Sequence, residues 1–183
     1  MTTNNCNKEK DTLPQVILVN ELDEAIGSAE KLAAHEQGLL HRAFSVFVFN
    51  HRKELLLQQR SITKYHCGGL WTNSCCSHPS PQETTIIAAK KRLKYEIGVI
   101  SDISYAGVFT YKAEFSNGLT ENEIDHVYIA TEFNKDPKLN SEEAQSYKWV
   151  SIPELQEQIT RKPELFTPWL QQSLAIATTK LLS

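Results

Sequence analysis

Three groups of residues in this 183-residue chain have types and spacings suited to chemistry. Cys67, Cys75 and Cys76 fall within ten positions, and His78 follows at once. In a reducing compartment such a cluster points to metal binding or thiol chemistry before disulfides. In an extended segment, residues two apart point the same way. Cys76 and His78 therefore share a face and Cys75 turns from it, although a lone Cys is often only a small buried hydrophobe. Glu121, Glu123 and Asp125 likewise share one strand face, with Ile124 and His126 on the other. Two carboxylates held side by side raise one pKa unless a cation sits between them; the plainer reading is a solvated edge near a turn. His35 and His41 are six apart, neither a helical nor a strand ligand spacing. If His35, His41, His78, Glu121 and Glu123 converge, they make a mixed N/O site suited to Zn, Mn or Mg. A structural zinc site would instead recruit Cys67, Cys75, Cys76 and His78. Spacing alone does not choose between them. His51, His66 and His126 read as ordinary surface or core residues.

These groups need elements to hold them. Gln15 to Val19 reads as a strand, and Ala25 to His35 as a turn and short irregular helix. His41 to Phe49 carries apolar residues on both parities, as a strand buried on both faces does. Glu54 to Arg60 returns as its hairpin partner, and Ser61 to Leu70, with Gly68-Gly69, is a loop. Trp71 to Ser77 is short and extended. Ser80-Pro81-Gln82-Glu83 combines an N-cap Ser, a Pro at the first helical position and a capping-box Glu. Ile86, Ala89, Leu93 and Ile97 then recur at helical spacing up to Gly98, which predicts a helix over 81–97. Ile103 to Phe115 and Glu121 to Phe133 are two β runs joined through Asn117-Gly118, a hairpin signal. Tyr147 to Val150 is a short strand, Ser151 opens a second capped helix, and Thr167-Pro168-Trp169 opens the last. Strands and helices mix without strict alternation, so the expected class is α/β (α+β mixed), a mixed sheet flanked by helices in a single domain.

Composition narrows the function classes. With 22% charged residues and a formal net charge of −3, the chain is neither a basic polyanion binder nor a disordered acidic tail. No apolar run approaches the ~18 residues of a membrane span. The polar start lacks the apolar stretch of a secretion signal. Residues 1–12 read as a flexible N-terminus, and the expectation is a cytoplasmic monomer that binds neither nucleic acid nor membrane.

The helix over 81–97 has a second identity. Ser77, Glu83 and Lys91-Arg92-Leu93-Lys94-Tyr95-Glu96-Ile97-Gly98-Val99 resemble a degraded Nudix box, in which glutamates hold metal against a diphosphate. Only Glu83, Glu96 and Gly98 fully fit. Arg92 and Tyr95 stand where two of the glutamates belong, so diphosphate binding survives in this reading and water activation does not. Without other residues, the segment is simply an amphipathic helix with a basic outer face.

Leu40-His41-Arg42-Ala43-Phe44-Ser45-Val46-Phe47, Trp71-Thr72-Asn73-Ser74-Cys75-Cys76-Ser77-His78-Pro79 and Glu121-Asn122-Glu123 resemble signatures of the type I isopentenyl-diphosphate isomerases. The order and intervals agree over roughly residues 15 to 172. Gly68-Gly69 stands where many relatives carry Pro-Gly, and Cys67 is an extra thiol.

The resemblance implies a Nudix-like domain over 13–183 that moves a double bond between isopentenyl and dimethylallyl diphosphate. Such chemistry needs an acid and a base on two sides of a water-free pocket. Motif matches give those roles to Cys76 and Glu123, put Tyr111 beside the glutamate, and set Trp169 facing a tertiary carbocation. They assign one divalent metal (Mn, Zn or Mg) to His35, His41, His78, Glu121 and Glu123, and a Mg²⁺ carried by the substrate diphosphate to Glu96. Lys31, Arg60, Lys64 and Arg92 match the diphosphate-binding cations. The competing readings are a Nudix hydrolase of nucleoside diphosphate derivatives and a non-catalytic zinc module built on the thiols.

Overall fold

The computed structural model describes residues 13–183; the flexible N-terminus expected over 1–12 lies outside them. Nine strands and four α-helices follow one another among the described residues. The larger sheet has the order β2 (Ala25–Glu30), β1 (Gln15–Val19), β3 (His41–Val48), β8 (Thr120–Ala130) and β7 (Ser104–Glu114). β6 (Cys75–Ser77) also pairs with β3. A smaller sheet has the order β5 (Trp71–Thr72), β4 (Leu55–Arg60) and β9 (Ala144–Val150). The β3–β8 pair is parallel and the other strand pairs are antiparallel.

β3 is buried on both faces, and its two parities feed two cores. Phe44, Val46 and Val48 pack with Leu93 and Ile97 of α2 (Thr85–Ile97), while Phe47 meets Leu170 and Leu174 of α4 (Leu170–Leu182). The odd-numbered face that packs on α4 carries His41 at its start. Because β3 and β8 run parallel with His41 opposite Glu123 and Ala43 opposite Asp125, the polar residues of both strands gather at one end of that face.

Three sequence readings are corrected. Ala25 to His35 is a strand, β2, followed by α1 (Lys31–Gln37), not a turn and irregular helix. β2 is largely exposed, so it has no apolar alternation to read. β4 is not the hairpin partner of β3: they share a single bridge, Phe49 with Leu55. Both edges of β3 are already occupied, by β8 on one side and by β1 and β6 on the other, so β4 pairs with β5 and β9. α2 starts at Thr85, not 81. Ser80 to Glu83 closes a turn through Glu83 N–H to Ser80 O (3.0 Å), and the Glu83 carboxylate pairs forward with Lys91 instead of folding back on Ser80. α3 (Ile152–Arg161) does use its capping serine, whose hydroxyl accepts from Glu154 N–H. Gly98 ends α2 at φ 66°, and a Cβ there would lie 2.7 Å from the Lys138 Cβ.

Candidate active site

A cleft opens at the polar end of β3 and β8. Its walls come from seven elements: Lys31 from α1, Phe44 from β3, Gln58 and Arg60 from β4, Cys76 from β6, Arg92 and Glu96 from α2, Tyr111 from β7, and Glu121, Glu123 and Asp125 from β8. Lys64, His66, His78 and Glu143 from irregular backbone, together with Trp169, complete it.

The histidines are oriented by the backbone. His35 Nδ1 donates to Lys31 O (2.6 Å) and His41 Nδ1 to Leu39 O (2.7 Å). A carbonyl only accepts, so each Nδ1 carries a proton and the neutral ring turns its Nε2 lone pair inward. His41 Nε2 lies 3.2 Å from His78 Nε2 and 3.4 Å from Glu123 Oε1, while His78 Nε2 lies 2.8 Å from the same oxygen. His35 Nε2 is buried without a partner. Ligand atoms of His35, His41, His78 and Glu123 all lie within 4.8 Å of one another. An orphaned buried nitrogen and lone pairs aimed at one point suit a divalent cation; three imidazoles with a carboxylate suit several such metals.

Glu121, expected in the same ligand set, faces the cleft but is engaged elsewhere: it accepts from His66 Nε2 (2.5 Å) and from the Tyr111 hydroxyl (2.7 Å). That hydroxyl also lies 2.6 Å from Glu123 Oε2. The two carboxylates split as their shared face requires. Burial and then the charge of Glu123 raise the Glu121 pKa. Burial works against Glu123 ionising as well, but His78 and His41 outweigh it and hold its carboxyl well below the usual range. Burial lowers His35 to about 4 and His78 to about 3. For His41, burial is outweighed by the hydrogen bond and charge of Glu123, and its pKa rises.

The thiols separate as parity predicts. Cys75 is fully buried and packs in the core with Ala89 and Leu93. Cys76 lines the cleft, its Sγ 3.7 Å from Arg60 Nη1. Burial pushes the Cys76 pKa up further than the Arg60 charge brings it down, so the group is a thiol at neutral pH. Burial also takes Cys67 up to about 12. Among the described residues, no cluster of potential metal ligands includes a thiol, so the Cys67, Cys75, Cys76 and His78 zinc module is not assembled.

The four cations converge. Lys31, Arg60, Lys64 and Arg92 all line the cleft. Arg92 Nη2 pairs with Glu96 (2.7 Å), whose other oxygen accepts from Gln58 (3.0 Å). The Arg60 guanidinium carbon sits 5.6 Å from the centre of the Trp169 ring. Trp169 is 3% exposed, and its indole N–H donates to Asn73 Oδ1 (3.1 Å). Asn73 in turn donates to the carbonyls of Val46 and Cys75.

Sequence reasoning gave no role to His66, Asn73, Asp125 or Glu143. Asp125 was legible, since it shares the face of Glu121 and Glu123; its Oδ2 accepts from Ser45 (2.8 Å) and its Oδ1 is buried without a partner. His66 sits in an aperiodic loop, and Glu143 just ahead of β9, where no pattern marks them.

This fold and site define a NUDIX domain: that family matches residues 39–170. A Deinococcus radiodurans crystal structure superposes with a TM-score of 0.73 over 88% of this chain and 97% of the other, at 18% identity. A MutT protein from Methanosarcina mazei gives 0.61 over 74% and 91%, at 20% identity. Closer in sequence are an isopentenyl-diphosphate Delta-isomerase 2 of Aromatoleum aromaticum, 46% identical over 87% of this chain and 84% of its own, and an isopentenyl-diphosphate Delta-isomerase of Serratia proteamaculans, 48% identical over 84% and 86%. The chain belongs to the isopentenyl-diphosphate Delta-isomerase family.

Proposed function

We propose that this chain, with residues 13–183 as its isomerase domain, interconverts isopentenyl and dimethylallyl diphosphate in the supply of isoprenoid precursors. One observation carries the reading: Cys76 on β6 and Glu123 on β8 reach one cleft from opposite edges of β3, where burial holds the thiol's pKa up and His78 and His41 hold the carboxyl's down. Moving a double bond needs a proton added at one carbon and another removed two carbons away, and burial keeps the cationic intermediate from water. Cys76 S–H delivers the first proton to the terminal alkene carbon. Glu123 receives the second, with the Tyr111 hydroxyl hydrogen-bonded beside it. The Trp169 face, against which the Arg60 cation already rests, stabilises the tertiary carbocation by ~2 kcal/mol or more when desolvated. Lys31, Arg60, Lys64 and Arg92 bind the diphosphate through charge-assisted hydrogen bonds.

His35, His41, His78 and Glu123, with Glu121 beside them, would hold a Mn, Zn or Mg ion. When bound, it supplies a fixed positive charge that keeps neighbouring carboxylates ionised. Glu96 would meet a Mg²⁺ arriving with the diphosphate. Among the described residues no helix is long and apolar enough to cross a membrane, and the site is read as that of a cytoplasmic, monomeric enzyme acting on a small diphosphate.

The hydrolase reading lacks its carboxylates. Arg92 and Tyr95 replace two of them, Tyr95 is half exposed beneath the Arg92 guanidinium, and Glu83 is paired with Lys91. Incubation of the protein with Mg²⁺ and isopentenyl diphosphate should give the allylic isomer by proton NMR, with no phosphate released from nucleoside diphosphate sugars. Rapid phosphate release would transfer the site to the hydrolases.

A further inference from the structure

Glu143 is a carboxylate in the cleft wall that the isomerisation does not use. It lies just before β9, its side chain 12% exposed, and a single oxygen, Oε2, meets both Lys64 Nζ and Arg92 Nη2, the latter at 3.0 Å. Its backbone is equally committed. Glu143 O accepts from Ser61 N–H (2.9 Å), which fixes the loop that carries Lys64. Glu143 N–H bonds Asn140 O (2.9 Å), and Asn140 N–H bonds Glu96 O (2.8 Å) at the end of α2, which carries Arg92. One residue thus ties together the two elements that supply half of the cleft's cations.

The charges explain why such a tie is needed. Lys31, Arg60, Lys64 and Arg92 face one partly desolvated space, where their like charges repel one another more strongly than in water. An anion on Lys64 and Arg92 holds both side chains aimed into the cleft before any diphosphate arrives. The same anion then lies beside the diphosphate that those cations bind, and repels it.

We propose that Glu143 is a positioning residue of the diphosphate subsite, a resident anion that preorganises Lys64 and Arg92 and keeps diphosphate binding weak enough for product to leave. This rests on the reading of the four cations as the diphosphate subsite. Glu143→Gln keeps an oxygen acceptor in place and removes only the charge. Inorganic diphosphate with Mg²⁺ should then bind about tenfold more tightly by calorimetry. With isopentenyl diphosphate, KM should fall while kcat falls or stays level. Glu143→Ala removes the acceptor as well and should bind diphosphate more weakly than Glu143→Gln. A second pair reads the same repulsion on a different background: Lys64→Met should weaken diphosphate binding, and Lys64→Met with Glu143→Gln should recover part of the loss. A purely structural Glu143 would lower thermal stability in Glu143→Gln and leave diphosphate affinity unchanged or weaker. That result, or no recovery in the double variant, overturns the proposal. If the unmodified protein fails to isomerise but Glu143→Gln still binds diphosphate more tightly, the isomerase reading falls and this one stands; the converse result sinks this one alone.

Discussion

Cys75 and Cys76 are adjacent in the chain and opposite in consequence. Cys75→Ala removes one sulfur from a fully buried core site between α2 and β3. A loss of that size costs about 1 kcal/mol, or a fall of roughly 2–4 °C in Tm for a chain this long. Its sulfur points away from the cleft, so turnover should stay within about threefold of the unmodified protein, because no acid–base group is lost. Cys76→Ala removes the thiol whose proton burial retains at neutral pH. Loss of a general acid is worth about 10²–10⁴ in rate, so kcat should fall at least a hundredfold. Because the Cys76 side chain faces the cleft, Tm should move by less than about 2 °C. The assay pairs proton NMR of isopentenyl diphosphate turnover with thermal unfolding followed by circular dichroism. Equal loss of activity in both variants, or unfolding of Cys76→Ala, would refute both the parity argument and the role of Cys76.

Metal should follow the histidines: His41→Ala and His78→Ala should lose bound metal and activity together by elemental analysis, and Cys67→Ala should keep its metal. Retention in His41→Ala with loss in Cys67→Ala would move the site to the thiols. Metal affinity should fall with acid by one proton at first. His41, its pKa raised by Glu123, protonates before His35 and His78, which stay neutral down to about 4 and 3. The pH dependence of the metal Kd should therefore begin above ~6.5, with a slope of one tenfold weakening per pH unit, and steepen only below about 4; a slope of two or three near pH 6 would contradict this orientation of the rings. Asn73→Ala should strand the Trp169 indole N–H and two buried carbonyls, lowering stability by about 2–3 kcal/mol and slowing turnover at temperatures where the variant remains folded; unchanged turnover there would mean that Trp169 needs no bracket.

Much of this site is legible in the sequence because strand parity is strict. Cys76 with His78, and Glu121 with Glu123 and Asp125, were placed on common faces by alternation alone, and the cleft collects those faces. The buried strand expected over 41–49, His41–Val48 in the structure, was legible from apolar residues on both parities, and the 117–118 hairpin from its Asn-Gly turn. What escaped depends on contacts between distant segments. The pairing of β4 with β9 instead of β3 follows from occupied edges, which no local pattern records. The Ser80 capping box read as a helix start, but Lys91 drew Glu83 away. His66 and Glu143 reach the cleft from irregular backbone, and their partners Glu121, Lys64 and Arg92 lie 55, 79 and 51 residues away in sequence.

The central claim is that protons are moved on an intact diphosphate. It is tested most directly by running the reaction in heavy water with Mg²⁺ and following single-turnover product by NMR. The account predicts dimethylallyl diphosphate carrying one deuterium in a methyl group, delivered from an acid that exchanges with solvent, and no inorganic phosphate or diphosphate. Unchanged isopentenyl diphosphate, product without deuterium, or release of phosphate would contradict it.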